Sequence, residues 1–280
     1  MELSGIRGKE KRVGYLGDSI TDPNCYGDKI KKYWDFLQEW LGITPYVYGI
    51  SGRQWNDVPR QAEKLKQEHG GEVDAILILM GTNDFNDGVP IGEWFTETEE
   101  QVMAARGQVK KLETRKKRTP IMDGNTYKGR INIGIHRLKQ LFPDKQIVLL
   151  TPLHRSLADF GEKNVQPDEN YQNSCGEYVD AYVQAVKEAG NVWGVPVIDF
   201  NAVTGLNPMV EEQLIYFYDA GYDRLHPSTR ADTYGTYADV PVACVACNIL
   251  KRTSFTGESP HGSQTIYDVL RCQSTRSALP

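Results

Sequence analysis

The chain has 280 residues, 40% of them hydrophobic and 25% charged, which is ordinary for a globular protein able to bury a large core. Its formal net charge of -5 shows no sign of the concentrated positive charge of nucleic-acid-binding proteins, and we expect no nucleic-acid partner. No run approaches the roughly 20 apolar residues that span a bilayer, so we expect a soluble protein with no membrane span.

The beginning of the chain lacks the apolar run of a signal peptide. Two locations therefore stay open, the cytoplasm for the chain as it stands, or a secreted or periplasmic location if a leader has been removed. Nothing in the sequence indicates the oligomeric state.

Short apolar runs alternate with longer segments of helical periodicity, which is typical of parallel strands joined by crossover helices. The predicted strands are residues 12–16, 45–48, 75–80, 146–150 and 196–200. The predicted helices are residues 29–41, 127–142 and 171–189. The pattern predicts an α/β domain with about five parallel strands, and we place this domain at residues 1–230.

Small polar residues follow the first three predicted strands. Ser19 lies in the Gly-Asp-Ser turn after the first strand, Gly52 follows the second, and Asn83 follows the third. Because ligands of doubly wound sheets bind at the carboxyl ends of the strands, we expect these residues to meet at one edge of the sheet.

An acid and an imidazole occur together near residue 225. Asp223 and His226 are three positions apart, close enough for the carboxylate to orient the ring from a single turn. With Ser19 they form the residue set of a Ser-His-Asp triad.

These four blocks resemble those of the SGNH hydrolases, the GDSL-like esterase and lipase superfamily, in their residues and in their order: Ser19, Gly52, Asn83 and His226. The resemblance implies a flavodoxin-like fold of three α/β/α layers. It also implies that Ser19 attacks an ester, that His226 is the base, and that Asp223 orients the ring. The oxyanion donors would be the backbone N–H groups of Ser19 and Gly52 and the side-chain amide of Asn83.

The segment of residues 85–125 is too long for a simple connection in a compact domain. We interpret it as an insert and expect it to form a wall or lid over the site. Its basic run, residues 110–118, fits a solvated hairpin or helix face better than a substrate-binding patch.

Other residues allow competing interpretations. Ser19 and Asp18 could cap a helix or turn, and we assign Asp18 and Asp84 to local hydrogen bonding. His154 follows a predicted strand and competes as the base, but it lacks a nearby acid in sequence, so we expect it to line the pocket at most. Trp55 could contact substrate.

After His226 the resemblance fails, because Pro and Gly occur where related proteins continue with a closing helix. Residues 231–280 are therefore interpreted as an atypical tail that arose by a frameshift from about residue 229. A divergent tail that folds is the alternative.

The predicted function is that of a serine esterase acting through an acyl-enzyme on a small-molecule or glycan ester, such as an acetyl group on a sugar. Lipase, lysophospholipase and thioesterase activities are alternatives within the superfamily. A non-catalytic binding protein is another alternative, if the altered tail disables His226. A lone Cys244-x-x-Cys247 has no second pair to complete a zinc site, so we expect no metal and no other cofactor.

Overall fold

The structure of the chain, a computed structural model, describes residues 11–107 and 109–228. The strands are β1 (Arg12–Gly17), β2 (Thr44–Val47), β3 (Ala75–Leu79), β4 (Phe95–Ala104), β5 (Lys111–Pro120), β6 (Gln146–Leu150), β7 (Ala158–Asp159), β8 (Val165–Gln166), β9 (Val197–Ile198), β10 (Phe217–Asp219) and β11 (Asp223–Pro227). The helices are α1 (Tyr33–Leu41), α2 (Val58–His69), α3 (Thr82–Asn86), α4 (Tyr127–Leu141), α5 (Val179–Trp193) and α6 (Phe200–Val203). The predicted tail, residues 231–280, lies outside the described residues.

A parallel sheet of five strands forms the centre of the fold, in the order β2-β1-β3-β6-β9. Strand order reverses between β1 and β3, which is where such sheets bind ligands. The prediction of a three-layer, flavodoxin-like α/β fold with five parallel strands is confirmed.

Two apolar layers cover the sheet, one on each face. The alternation of β3 shows this directly, because Ile76 and Ile78 belong to the cluster beneath α2, α4 and α5, whereas Leu77 belongs to the cluster beneath α1. All five residues of β3 are buried, as expected for a central parallel strand. The helices therefore fix the sheet from both sides.

Two helix predictions need correction, and one helix was missed. The predicted helix of residues 29–41 begins only at Tyr33, because Lys32 is extended and Asp35 accepts its backbone N–H at 2.9 Å. The predicted helix of residues 171–189 becomes α5, which runs from Val179 to Trp193 and ends at Gly194 in the left-handed conformation (φ 60°). The sequence analysis missed α2 entirely, since its buried face includes the polar Gln61, which interrupts the apolar pattern.

A second, antiparallel sheet of short strands was also not predicted. Its order is β10-β11-β7-β8, and its strands have only two to five residues, too few to show a period of two. This small sheet positions Asp223 and His226, both of which lie on β11.

The predicted insert contains a long exposed hairpin of β4 and β5, paired in register from Phe95 opposite Pro120 to Ala104 opposite Lys111. The basic run thus lies on β5 and is part of a hairpin. A solvated hairpin is one of the two structures that the sequence analysis favoured over a substrate-binding patch. At the hairpin base, the Asn132 amide on α4 donates to the carbonyl oxygens of Trp94 (3.1 Å) and Ile121 (2.9 Å). These contacts attach the hairpin to α4, and the wall or lid stays a prediction.

Among residues 11–107 and 109–228, no helix is long and apolar enough to cross a membrane.

Candidate active site

Ser19, His226 and Asp223 form a continuous chain of hydrogen bonds. His226 Nε2 lies 2.7 Å from Ser19 Oγ, and His226 Nδ1 lies 2.9 Å from Asp223 Oδ2. Because a carboxylate can only accept, Nδ1 carries the proton and Nε2 is left to accept the Ser19 hydroxyl proton. The structure therefore brings together the three residues that the sequence singled out as a triad.

Asp223 is held as a carboxylate although its side chain is fully buried. Burial alone would raise the pKa of Asp223, but the hydrogen bond and charge of His226 and a hydrogen bond from Tyr26 together lower it. The backbone N–H groups of Leu225 and His226 also donate to Oδ1, at 3.2 and 3.1 Å. The carboxylate is thereby fixed in orientation as well as in charge.

A tight turn after β1 presents Ser19. The turn begins at Gly17, where a Cβ atom would lie 2.6 Å from the Leu79 carbonyl oxygen, so only glycine fits there. Gln61 holds the backbone of Gly17 from both sides, accepting its N–H at 2.9 Å and donating to its carbonyl at 3.0 Å. On the other side of the turn, the buried Lys32 ammonium donates to the Ser19 carbonyl oxygen at 3.0 Å.

Of the two remaining predicted residues, Gly52 lies in the turn that follows β2, and Asn83 lies in the first turn of α3. Asn83 donates one amide hydrogen to the Arg53 carbonyl oxygen at 3.0 Å, which leaves its second amide hydrogen available. Gly52 has a φ of 75°, a conformation that other residues adopt only with strain. Its neighbour Ser51 donates to Asp22 through both its backbone N–H (2.8 Å) and its hydroxyl (2.7 Å). The turn that carries Gly52 is therefore tied to the turn that carries Ser19.

Asp18 and Asp84 are buried beside the site. Asp18 bonds locally, as the sequence analysis assigned, whereas Asp84 bonds to residues far away in the chain, so its assignment to local hydrogen bonding is wrong. Asp18 accepts the Ile20 N–H at 3.1 Å, and burial raises its pKa to about 7, with a further contribution from Asp84. Asp84 accepts the Trp55 N–H at 3.0 Å and an Arg130 N–H at 2.9 Å, and burial raises its pKa to about 6.

The expectation that Trp55 contacts substrate is wrong. Its side chain is fully buried in the core, its ring packs on Gly134 of α4, and its indole N–H donates to the Met80 carbonyl oxygen at 3.2 Å. Trp55 supports the site from beneath, through the backbone bond to Asp84.

His154 has an acid partner that its sequence neighbourhood did not reveal. Its Nδ1 lies 2.5 Å from Glu169, and this hydrogen bond raises the pKa of His154. Because Glu169 is 15 residues away in sequence, spacing alone could not pair them. The imidazole that lies next to Ser19 is that of His226. The lining role of His154 stays a prediction.

Two residues of the site were missed by the sequence analysis. Tyr26 has a left-handed backbone (φ 62°), and its hydroxyl donates to Asp223 Oδ2. Arg155 is buried and donates to the Thr82 carbonyl and hydroxyl oxygens, each at 3.2 Å, directly before Asn83 in the chain. Only Tyr26 has any signal in the sequence, the weak turn signal of the following Gly27.

No group of three or more His, Cys, Asp or Glu side chains within residues 11–107 and 109–228 is arranged to hold a metal ion.

A sequence model of the GDSL-like lipase/acylhydrolase family matches residues 15–232 of the chain. No curated protein matches it closely enough to be counted.

Solved structures share the fold over most of the chain. A protein from Lactobacillus plantarum is 20% identical with a TM-score of 0.63, covering 87% of this chain and 97% of its own. A possible lipase from Chitinophaga pinensis is 20% identical with a TM-score of 0.62, covering 88% and 100%. A catalytic mutant of an acetylxylan esterase from Geobacillus stearothermophilus is 20% identical with a TM-score of 0.50, covering 92% and 99%. At these identities the likeness concerns the fold.

Proposed function

The chain belongs to the GDSL-like lipase/acylhydrolase family and is a carboxylic ester hydrolase, and on that basis we propose that it is a serine esterase with Ser19 as its nucleophile. The observation that carries this proposal is the 2.7 Å contact between Ser19 Oγ and His226 Nε2, with Asp223 on the far side of the ring.

In the proposed reaction, Ser19 attacks the ester carbonyl while His226 removes the hydroxyl proton. His226 then returns that proton to the leaving alcohol, and an acyl group remains on Ser19. Water, activated by the same imidazole, hydrolyses the acyl-enzyme. Asp223 keeps the ring in the required tautomer and stabilises the imidazolium that forms.

The negative charge that develops on the carbonyl oxygen needs preorganised donors. We assign this role to the backbone N–H groups of Ser19 and Gly52 and to the free amide hydrogen of Asn83. The bonds of Ser51 to Asp22 hold the turn that carries Gly52, and the bonds of Arg155 to Thr82 hold the start of α3, which carries Asn83. No metal ion or organic cofactor is part of this proposed mechanism.

We assign the substrate to the acetyl esters of carbohydrates. The insert next to Asn83 is highly charged, and the ion pairs of its hairpin lie within the hairpin itself, for example that of Arg118 with Glu97 at 3.1 Å. A long acyl chain would require a sizeable apolar groove. The acetylxylan esterase with the same fold is consistent with this class of substrate.

Turnover of p-nitrophenyl acetate and labelling by a fluorophosphonate test the proposal together. We expect the label on Ser19, and Ser19→Ala should abolish labelling and lower kcat by at least about a thousandfold. Ser174→Ala, a change at an exposed serine, is the matched control. Absence of both turnover and labelling in the unmodified protein would instead favour a binding protein on the same fold.

Acyl-chain profiling tests the substrate class. We expect the highest kcat/KM for acetyl esters, with a steady decline from acetate to laurate. An optimum at long acyl chains would identify a lipase or lysophospholipase, and a preference for thioesters would identify a thioesterase.

A further inference from the structure

A line of contacting aromatic rings, which we call the aromatic track, runs through His226. On one side, Tyr26 meets the imidazole edge-on at 5.4 Å between centroids and stacks on Tyr218 at 3.6 Å. Tyr218 in turn meets Tyr222 at 6.3 Å. Phe160 also lies next to the imidazole, at 5.8 Å between ring centroids.

Exposure changes along this track. Phe160 is 38% exposed and Tyr222 is 42% exposed, whereas His226 is only 5% exposed. The track is therefore open to solvent at its two ends and buried at the reacting centre.

The small sheet holds most of the track in a fixed relation to the base. Phe160 lies in the turn between β7 and β8, closed by its N–H bond to the Asn164 carbonyl at 2.9 Å. Tyr218 lies on β10 and Tyr222 in the turn before β11, the strand that carries His226. Tyr26 comes from the loop after Ser19 and is held by its hydroxyl bond to Asp223.

The position of the track identifies which half of an ester it can touch. His226 must give its proton to the leaving alcohol oxygen, so the alcohol half of the substrate has to lie against the imidazole. The rings that flank His226 therefore border the alcohol half.

The chemistry of the track favours a sugar as that alcohol. Tyrosine and phenylalanine rings offer flat apolar faces, and tyrosine adds a hydroxyl. A sugar ring has an apolar C–H face and a rim of hydroxyl groups, and polar side chains beside Phe160, namely the exposed Asp159, Glu162 and Lys163, can meet that rim. A hydrocarbon chain offers these side chains no hydrogen-bonding groups.

We propose that the aromatic track is a sugar-binding subsite for the alcohol half of the substrate, with Phe160 and Tyr222 as its outer contacts. This inference rests on the proposed esterase function and adds the residues that select the glycan.

Paired substrates test the proposal. We expect Phe160→Ala and Tyr222→Ala each to lower kcat/KM for an acetylated xylo-oligosaccharide by about fivefold to twentyfold, through KM. Ethyl acetate has no sugar to place on these rings, so both variants should lose less of its hydrolysis than of the sugar ester's, and the ratio of the two kcat/KM values should fall. Tyr171→Ala removes a ring that is 64% exposed and lies off the track, so it should change neither rate.

A binding measurement separates failure of the subsite from failure of the esterase function. Deacetylated xylo-oligosaccharide is titrated into Ser19→Ala by calorimetry, with and without Phe160→Ala. Hydrolysis of the acetylated sugar that is unchanged in both ring variants overturns the subsite and leaves the esterase intact. A protein that hydrolyses ethyl acetate but neither cleaves nor binds the sugar overturns the glycan class as well. If no ester is hydrolysed, the esterase function fails, and sugar binding that is lost with Phe160 would still support the subsite.

Discussion

The hydrogen bonds of a few residues hold the imidazole of His226, the proposed base, next to Ser19. Asp223 accepts bonds from the imidazole, from two backbone N–H groups and from the Tyr26 hydroxyl. Tyr26, which makes the last of these bonds, has a left-handed backbone, a conformation that costs a non-glycine residue of order 1 kcal/mol or more. The rest of the structure has to compensate for that strain, which points to a positioning role for Tyr26.

Tyr26→Phe keeps the stacked ring and removes only the hydroxyl. The loss of a donor should raise the pKa of Asp223 and leave its carboxylate less firmly oriented against the imidazole. We expect kcat at neutral pH to fall about threefold to tenfold, with KM unchanged. Tyr218→Phe, which changes the stacked partner but not the donors to Asp223, is the control. An unchanged kcat in Tyr26→Phe would show that Tyr26 is merely structural.

The buried Asp18 should make stability depend on pH. Its pKa is raised from 3.8 to about 7 by burial, so its stabilising contribution is complete below about pH 4 and is lost as the pH rises through about 7. Asp18→Asn keeps an acceptor for the Ile20 N–H but cannot ionise. From about pH 5 to about pH 8, the free energy of unfolding, measured by urea titration, should fall by about 2 kcal/mol more for the unmodified protein than for Asp18→Asn. The same pH dependence in both proteins would contradict this.

At the residue scale, the sequence was informative where the interacting residues are close together in the chain. Asp223 and His226 are three residues apart, so their pairing could be predicted from spacing. Their meeting with Ser19, which follows the end of β1, was implied by the resemblance to the SGNH hydrolases. Trp55 was misassigned because burial beneath α4 is a tertiary property. Tyr26 was missed because its bond to Asp223 spans 197 residues and depends on an unusual backbone conformation.

At the scale of elements, the β4–β5 hairpin stands apart from the layers of the domain. Several of its ion pairs cross from one strand to the other, as between Lys117 and Glu100 at 2.9 Å. Exposed pairs of this kind contribute little each, and a two-stranded hairpin is marginally stable by itself. The contacts at its base, around Trp94 and Ile121, anchor it to the domain.

Replacement of residues 96–119 by a two-residue turn tests the insert. Phe95 and Pro120 already face each other, so the shortened chain can close without strain. We expect the Tm to change by less than about 3 °C and the rate with p-nitrophenyl acetate to stay within about twofold. The predicted wall or lid requires a changed ratio of rates between acetylated polymer and p-nitrophenyl acetate. An unchanged ratio would rule it out.

Elements with a clear pattern of apolar residues could be predicted from the sequence, and the others could not. The apolar runs of β1, β3 and β6 identified the central sheet. The helix α2 was missed because Gln61 turns inward to bond the Gly17 backbone, which breaks the apolar stripe. The two-residue strands β7 and β8 are defined by their partners rather than by any pattern of their own.

At the scale of the whole molecule, the site bridges two sheets. Ser19 belongs to the central parallel sheet, which has two apolar layers, whereas Asp223 and His226 belong to the small sheet, which has short strands. Segments with fewer buried contacts open at lower free energy than the core. The site should therefore come apart before the fold does.

Urea titration checks this expectation. Activity on p-nitrophenyl acetate should be lost at a lower urea concentration than the far-UV circular dichroism signal, with recovery on dilution. The structural readout is amide hydrogen exchange, which should be faster in β11 than in β3 at urea concentrations that abolish activity. Coincident loss of activity and helical signal would mean that the two sheets unfold as one unit.

The large separation of Ser19 and His226 along the chain, 207 residues, has a consequence for biosynthesis. A ribosome adding about 5 to 20 residues per second completes the strand with Ser19 roughly 10 to 40 seconds before it adds His226. Throughout that interval the nascent polypeptide carries Ser19 without His226. Under the proposed mechanism, esterase activity is thus withheld until translation has passed β11, and a product of premature termination upstream of that strand should be inert.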